Sequence, residues 1–467
     1  MNTKKFPNRA LQKSPLEGGF RGAFMGLLLL LSLLSCRKNA EILKPEIEAI
    51  AAPDTTATIP TSEGGGALLG FYLLNEGNMG SNKSTLDYFD FATGKYHRNI
   101  YGDANPGVPK ELGDVGNDLA IYGSKLYAVI NCSNKVEVMD KRTARRLGQI
   151  NIPNCRYIKF HGGYAYVTSY AGPVELNPYY EQTGYVAKID TATFRVVAQC
   201  LVGFQPDDLE IVDFPLEVAE QRLQSGEVTE QSGCRAQSRY RSAGAKIYVA
   251  NSGGYMAPNY ESTVSVIDIQ SFTEIKRIEV AINLHRLKAD RHGNLWVSSR
   301  GDYYNTPSKL YWIDTKTDTY GGAIDIPVTG MTLDGDSLYF FSTEFNYYNY
   351  DWTINFGIVD VTTKQIVTRN FLAPSNSTNT SIPQLRSATT LLSDQGGGQI
   401  SLSGGGGAEI TMPYGIMVNP KNKDVYLTDA ANMVFPGMLY CFDRHGNKKW
   451  TVRTGDLPAH FVMLQTP

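Results

Sequence analysis

The sequence predicts an all-β protein, a seven-bladed β-propeller closed by pairing of the C-terminal strand into the first blade. Three observations carry this. A strand–loop–strand unit recurs along the chain, an Asp marks the end of one strand in each copy, and a last strand at the C-terminus has no partners of its own.

The first 36 residues stand outside the repeat. Lys4, Lys5, Arg9, Lys13 and Arg21 precede an apolar run from Met25 to Leu34, followed by Ser35 and Cys36. A basic region, a short apolar core and a small residue at the cut site describe an export signal. The core is too short for a comfortable transmembrane helix. Leu33-Leu34-Ser35-Cys36 is similar to a bacterial lipobox, which makes Cys36 the expected lipidation site. An ordinary signal peptide with an incidental Cys36 is the alternative. Residues 37–66, with Pro45, Pro53, several Thr and Ser, and Gly64-Gly65-Gly66, read as a flexible stalk. The propeller is then expected over residues 67–467.

Within it, each unit begins with an apolar strand ending in a small polar residue, and a variable loop leads to an alternating strand ending near Asp. Lys246-Ile247-Tyr248-Val249-Ala250-Asn251 leads to Val264-Ser265-Val266-Ile267-Asp268, and Lys125 to Asn131 leads to Val136-Glu137-Val138-Met139-Asp140. Alternation of this kind is the period-2 signature of a strand. The markers are Asp90, Asp140, Asp190, Asp268, Asp314, Asp360 and Asp443. Most neighbours lie about 50 residues apart, the spacing of propeller blades. An Asp there can accept backbone N–H groups in the following turn, so the markers read as structural. An inner strand, such as Leu209-Glu210-Ile211-Val212, brings each unit to four. The first unit lacks one, and His460-Phe461-Val462-Met463-Leu464 supplies it, removing two exposed edges. Residues 213–245 and 373–411 break the period as insertions into the fourth and the last blade.

Charged residues make up 19% of the chain and the net charge is -2, which gives no reason to expect nucleic acid as a partner. Cys132, Cys155, Cys200, Cys234 and Cys441 show no metal-binding spacing. Export permits disulfides, with Cys132 and Cys155 the pair to test; small buried hydrophobes are the equal alternative.

The loops joining the second and third strands share one end of the ring with the loops joining consecutive blades, and they are rich in Tyr and Asn. The expected ligand-binding residues there are Asn75, Asn131, Tyr170, Tyr255, Arg300, Tyr303, Tyr304, Tyr347, Tyr348 and Asn432, joined from the blade-joining loops by Asp207, Arg286 and Tyr414. Rigid aromatic area and amide groups on one end suit a large, amphipathic, mostly neutral ligand. Any single Tyr is as readily explained by packing against the next blade; the set is not.

Catalytic residues and a required cofactor are not expected. The six histidines are dispersed, and no GxSxG, P-loop or HExxH motif occurs. Asp207, Asp208, Glu76 and Asp302 offer a scattered carboxylate set that might hold a cation in a lactonase-like hydrolase, the least favoured reading.

Leu74-Asn75-Glu76-Gly77-Asn78, Gly113-Asp114, Leu126-Tyr127 and Asn131 with Val136 to Asp140 resemble the YncE-like, BtuG-like propeller lipoproteins of Bacteroidetes over roughly residues 69–464, without the insertions. The resemblance implies a seven-bladed surface lipoprotein of the outer membrane. It also implies cobalamin or a related corrinoid as ligand, and a TonB-dependent transporter as partner. A protein-interaction or adhesion scaffold using the same end of the ring is the alternative.

Overall fold

The computed structural model describes residues 47–49, 67–215, 242–346, 351–372 and 410–466. Cys36, the export signal, most of the stalk, Cys234, and Tyr347 and Tyr348 lie outside the described residues.

Seven antiparallel sheets follow one another along the chain and form a seven-bladed propeller. The inner strands of blades two to seven are Gly116–Tyr122, Cys155–His161, Pro206–Pro215, Leu284–Ala289, Gly330–Asp334 and Pro413–Val418. Blade one takes its inner strand from the C-terminus. Pro458–Gln465 pairs antiparallel with Leu68–Asn75, with Leu74 opposite His460 and Gly70 opposite Leu464. The expected closure is therefore present. A short strand, Ile47–Ala49, also pairs with Lys95–His97 on the outer edge of blade one, where the sequence reading has only stalk. Among the described residues the one helix is the short Ile100–Ala104.

Each blade is covered on both faces by its neighbours, so the second strands are buried almost throughout, as in Lys125–Ile130. Seven apolar clusters each join two consecutive blades. Tyr127, Val129 and Val138 of blade two meet Ile158, Ala165 and Val167 of blade three. The closing interface is the most aromatic: Phe71 and Phe89 of blade one pack against Tyr426 and Trp450 of blade seven, with ring centroids 4.8 Å apart for Phe71–Tyr426 and 4.9 Å for Phe89–Trp450. Phe71 is fully buried, and such a side chain contributes about 1.5–3 kcal/mol through burial alone.

The marker aspartates close the strand 3–4 turns. Asp190 accepts the backbone N–H groups of Ala192 (2.9 Å) and Thr193 (2.8 Å), and Asp360 those of Thr362 (2.9 Å) and Thr363 (2.8 Å). Asp140 and Asp443 bind their turns in the same way.

In blade four, strand pairing runs past residue 213, where the sequence reading starts an insertion. It continues through Asp213–Ala245 and Phe214–Gly244 to Pro215–Ser242, and residues 216–241 lie outside the described residues. In blade six, Ser337–Asn346 and Asp351–Asp360 form a ten-residue ladder, longer than most second and third strands. The four Cys thiols among the described residues are free, so the Cys132–Cys155 disulfide does not form. Cys155 is buried and faces the Lys135 carbonyl oxygen at 3.3 Å; burial pushes its thiol up to about 12.

Candidate functional site

The inner strands line the axis of the ring and start at the end that carries the strand 2–3 loops. Several are preceded by a left-handed residue: Asn154, Gln205 and Asn283 have φ of 43°, 46° and 54°. Asn is among the few non-Gly residues that adopt this conformation readily. Just beyond it the strand register slips, between Pro206 and Leu209 and between Leu284 and Leu287. A bulge interrupts alternation and re-aims side chains. The adjacent polar pairs Asp207-Asp208 and His285-Arg286 fall at these slips, and Arg156-Tyr157 holds the matching place in blade three.

Asp207, from blade four, is fully buried and gathers residues from both neighbouring blades. One carboxylate oxygen accepts hydrogen bonds from Arg156 Nε (3.2 Å) and NH2 (3.1 Å) and from the Tyr170 hydroxyl (2.7 Å). The other accepts from Arg300 NH1 at 2.9 Å. Burial alone would raise its carboxyl, but the charges of Arg156 and Arg300 outweigh that and hold it below the usual range. The Arg156 guanidinium also lies 4.7 Å from the centre of the Tyr170 ring, which meets Tyr255 edge-on at 6.3 Å.

Tyr157 is the second junction. Its ring carries the Arg286 guanidinium at 4.8 Å, and its hydroxyl lies 3.5 Å from His285 Nε2. His460, from the closing strand, approaches the same ring at 6.5 Å. Burial, then the charges of Arg300, Arg286 and Arg156, push His285 well below the ordinary histidine value, so its ring is neutral. Glu76 accepts from the Tyr414 hydroxyl (2.7 Å) and lies 3.0 Å from His460 Nε2. A third set follows down the axis: Lys159 Nζ reaches Glu210 at 3.3 Å, and the Lys159 charge, then burial, lowers Lys288.

The structure thus brings together five of the expected residues, Asp207, Tyr170, Tyr255, Arg286 and Arg300, with Tyr414 close by. Two others are buried in the ring wall. The Asn75 amide is buried, donating to Thr85 Oγ1 (3.0 Å) and Asp87 Oδ2 (2.9 Å), and ties the second strand to the third. Asn131 is equally buried, and its amide donates to the Cys155 carbonyl at 2.9 Å. Each lies at the end of a second strand, and Asn131 also lines the groove between blades two and three. Asn432 is exposed but builds its own turn, accepting from Val434 N (3.1 Å) and Phe435 N (3.0 Å).

Tyr303 and Tyr304 are exposed, at 48% and 66% of their full area. They follow Gly301, whose φ of +63° turns the chain where a Cβ would overlap the Thr306 carbonyl. Met79, Leu176, Tyr179, Met433, Val434 and Phe435 are exposed on strand 2–3 loops of the same end. The other large exposed hydrophobics among the described residues sit on outer strands, as Leu147 and Ile275 do, with Val196, Val197 and Leu201 together on one of them. A groove of about 590 Å³ opens at this end between blades two and three, lined by Met79, Cys132, Asn134, Asn154 and Pro173.

The four carboxylates weighed as a cation site all have partners within the protein. Asp208 accepts the N–H groups of Leu209 (2.9 Å) and Leu287 (3.1 Å), and Asp302 those of Tyr304, Asn305 and Thr306. Among the described residues no three His, Cys, Asp or Glu side chains gather in a way that would hold a metal ion.

Sequence reading missed Tyr157, and it left His285 without a role. The signal available was the run of adjacent polar residues at the start of an inner strand, which alternation forbids unless a bulge intervenes.

Residues 69–203 match a family described as "Domain of unknown function (DUF5074)". No curated protein matches the sequence. Among solved structures, the chain is similar to a quinonprotein alcohol dehydrogenase-like protein from Bacteroides thetaiotaomicron. The two are 11% identical with a TM-score of 0.50, covering 85% of this chain and 78% of that one. It also matches hydrazine synthase of Kuenenia stuttgartiensis (12% identity, TM-score 0.49, 75% of this chain and 95% of that one). At such identity the likeness speaks for the fold alone.

Proposed function

We propose that the protein is a non-catalytic capture module of the cell envelope that holds a small amphipathic ligand on the loop-bearing end of the ring. One observation carries this reading. Exposed apolar side chains from the loops of blades one, three, five and seven stand around an axis whose polar groups are held in fixed geometry by Asp207, Tyr157 and Glu76. Rigid aromatics beside a few oriented polar groups are the composition of ligand sites.

The resemblance to the BtuG-like lipoproteins makes cobalamin or a related corrinoid the ligand to test first. It adds a lipid anchor at Cys36, a place at the cell surface and delivery to a TonB-dependent transporter to the proposal. Calorimetry of the purified protein with cobalamin and with cobinamide decides between readings. Saturable heat with either supports capture. No heat with both, at micromolar concentrations, removes the corrinoid. The spread of the exposed apolar residues over four blades then favours the protein-interaction scaffold.

A further inference from the structure

Arg286 reaches the axis with hydrogen-bonding capacity that the protein leaves unspent. The residue is half-buried and its guanidinium rests on the Tyr157 ring, and among the described residues no side chain or carbonyl takes a hydrogen bond or ion pair from it. A guanidinium carries five N–H donors in a planar fork. The carboxylates that might have met it are engaged elsewhere. Asp207 is surrounded by Arg156, Arg300 and Tyr170. Asp208 and Asp118 spend both oxygens on backbone N–H groups of their own and the next inner strand. Glu76 is taken by Tyr414 and His460.

His285 stands beside it. Only 6% of the residue is exposed, yet its Nδ1 has no hydrogen-bond partner, and its surroundings are the guanidinium groups of Arg300, Arg286 and Arg156. A buried polar atom left unpaired costs about 1–3 kcal/mol. Arg300 spends NH1 on Asp207 while 27% of its side chain stays open.

We propose that this end of the axis is a seat for an oxyanion, a phosphoryl or carboxylate group of a small ligand. Arg286 and Arg300 take the anion, His285 stands beside them, and Asp207 orients Arg300. Guanidinium forks match both oxyanions in shape. The charges on Arg156, Arg286 and Arg300 are balanced locally by Asp207, Asp208 and Glu76, which selects a single oxyanion over a polyanion. This deepens the capture reading and rests on it for the remainder of the ligand, but the seat is testable by itself.

The full-length protein is titrated with inorganic phosphate and, separately, with succinate at constant ionic strength. Calorimetry and the ring resonances of His285 are followed. The expected result is a saturable response to one of them, phosphate marking a phosphoryl ligand and succinate a carboxylate. Arg286→Gln should weaken it about tenfold or more. Arg145→Gln, which removes the same charge from an exposed turn at the other end of the ring, should leave it within about twofold. Where Arg286→Gln melts early, Arg286→Lys keeps the charge without the fork and should still weaken binding. No saturable response to either anion overturns the seat, as does a folded Arg286→Gln protein that binds as well as the parent. Cobalamin binding without any anion response would keep the capture reading and overturn the seat. An anion response without corrinoid binding would keep the seat and overturn the corrinoid.

Discussion

At one end of the ring Asp190 is a solvent-facing carboxylate whose partners are Thr193 and Ala192, within its own turn. At the other end Asp207 is fully buried, and its partners Arg156 and Arg300 lie 51 and 93 residues away along the chain. Both groups are more acidic than usual, for different reasons. The N–H and hydroxyl of Thr193 stabilise Asp190, whereas Asp207 overcomes its own burial through two guanidinium charges. The turn end repeats one local solution blade after blade. The loop end assembles a single long-range one, and only such an assembly distinguishes this propeller from another.

Removing Asp207 should therefore do the greatest harm. Asp207→Ala leaves Arg156, Arg300 and the Tyr170 hydroxyl without their shared acceptor, and a broken buried pair costs about 3–5 kcal/mol. Urea denaturation measures this; a loss below about 1 kcal/mol would erase the proposed difference between the two ends.

The pH dependence comes next. His285 has a folded pKa depressed below its unfolded value, so the unfolded chain takes up a proton that the fold refuses. Stability should fall as pH drops below about 6.5, by at most about 1.4 kcal/mol per pH unit for one proton. Melting curves between pH 5 and 8 should be flatter in this range for His285→Gln than for the parent. Asp207 works lower. Its contribution is present above the unfolded carboxyl value of about 3.9 and is lost as pH falls through its depressed folded value.

At the turn end, Asp140→Ala removes acceptors for the N–H groups of Arg142 and Thr143 and should cost about 1 kcal/mol in the same denaturation assay. The smallest change in stability, within about 0.5 kcal/mol, is expected for Tyr303→Ala with Tyr304→Ala, both at exposed positions. That pair should nonetheless weaken ligand binding about tenfold, and a ligand titration that does not move would take the aromatic rim out of the site.

The same contrast explains what the sequence made legible. Marker aspartates, alternating strands and the closing strand are local or periodic features, so seven blades follow from the chain read in order. The burial of Asn75 and Asn131 was not legible, because a polar residue at the end of a strand looks the same whether it faces solvent or staples the ring wall. The grouping of Arg156, Asp207 and Arg300 was not legible, since the register slips beside Arg156 and Asp207 and the loop after Ser299 decide which way each side chain points. Tyrosines divided along the same line. Tyr170 disappeared into the hub, at 1% exposure, while Tyr303 and Tyr304 stayed on the rim.

The closing strand also sets the timing of the molecule's completion. Synthesis delivers Leu68–Asn75 well before Pro458–Gln465, so the first blade begun is not finished until the closing strand is made. Until then its inner edge is bare, and Phe71 has neither Tyr426 nor Phe461 to cover it. A chain stopped short of Pro458 keeps that edge open to pair with a stranger. Only a chain that carries Pro458–Gln465 can shut the ring, so this one strand decides whether all seven blades share a closed wall.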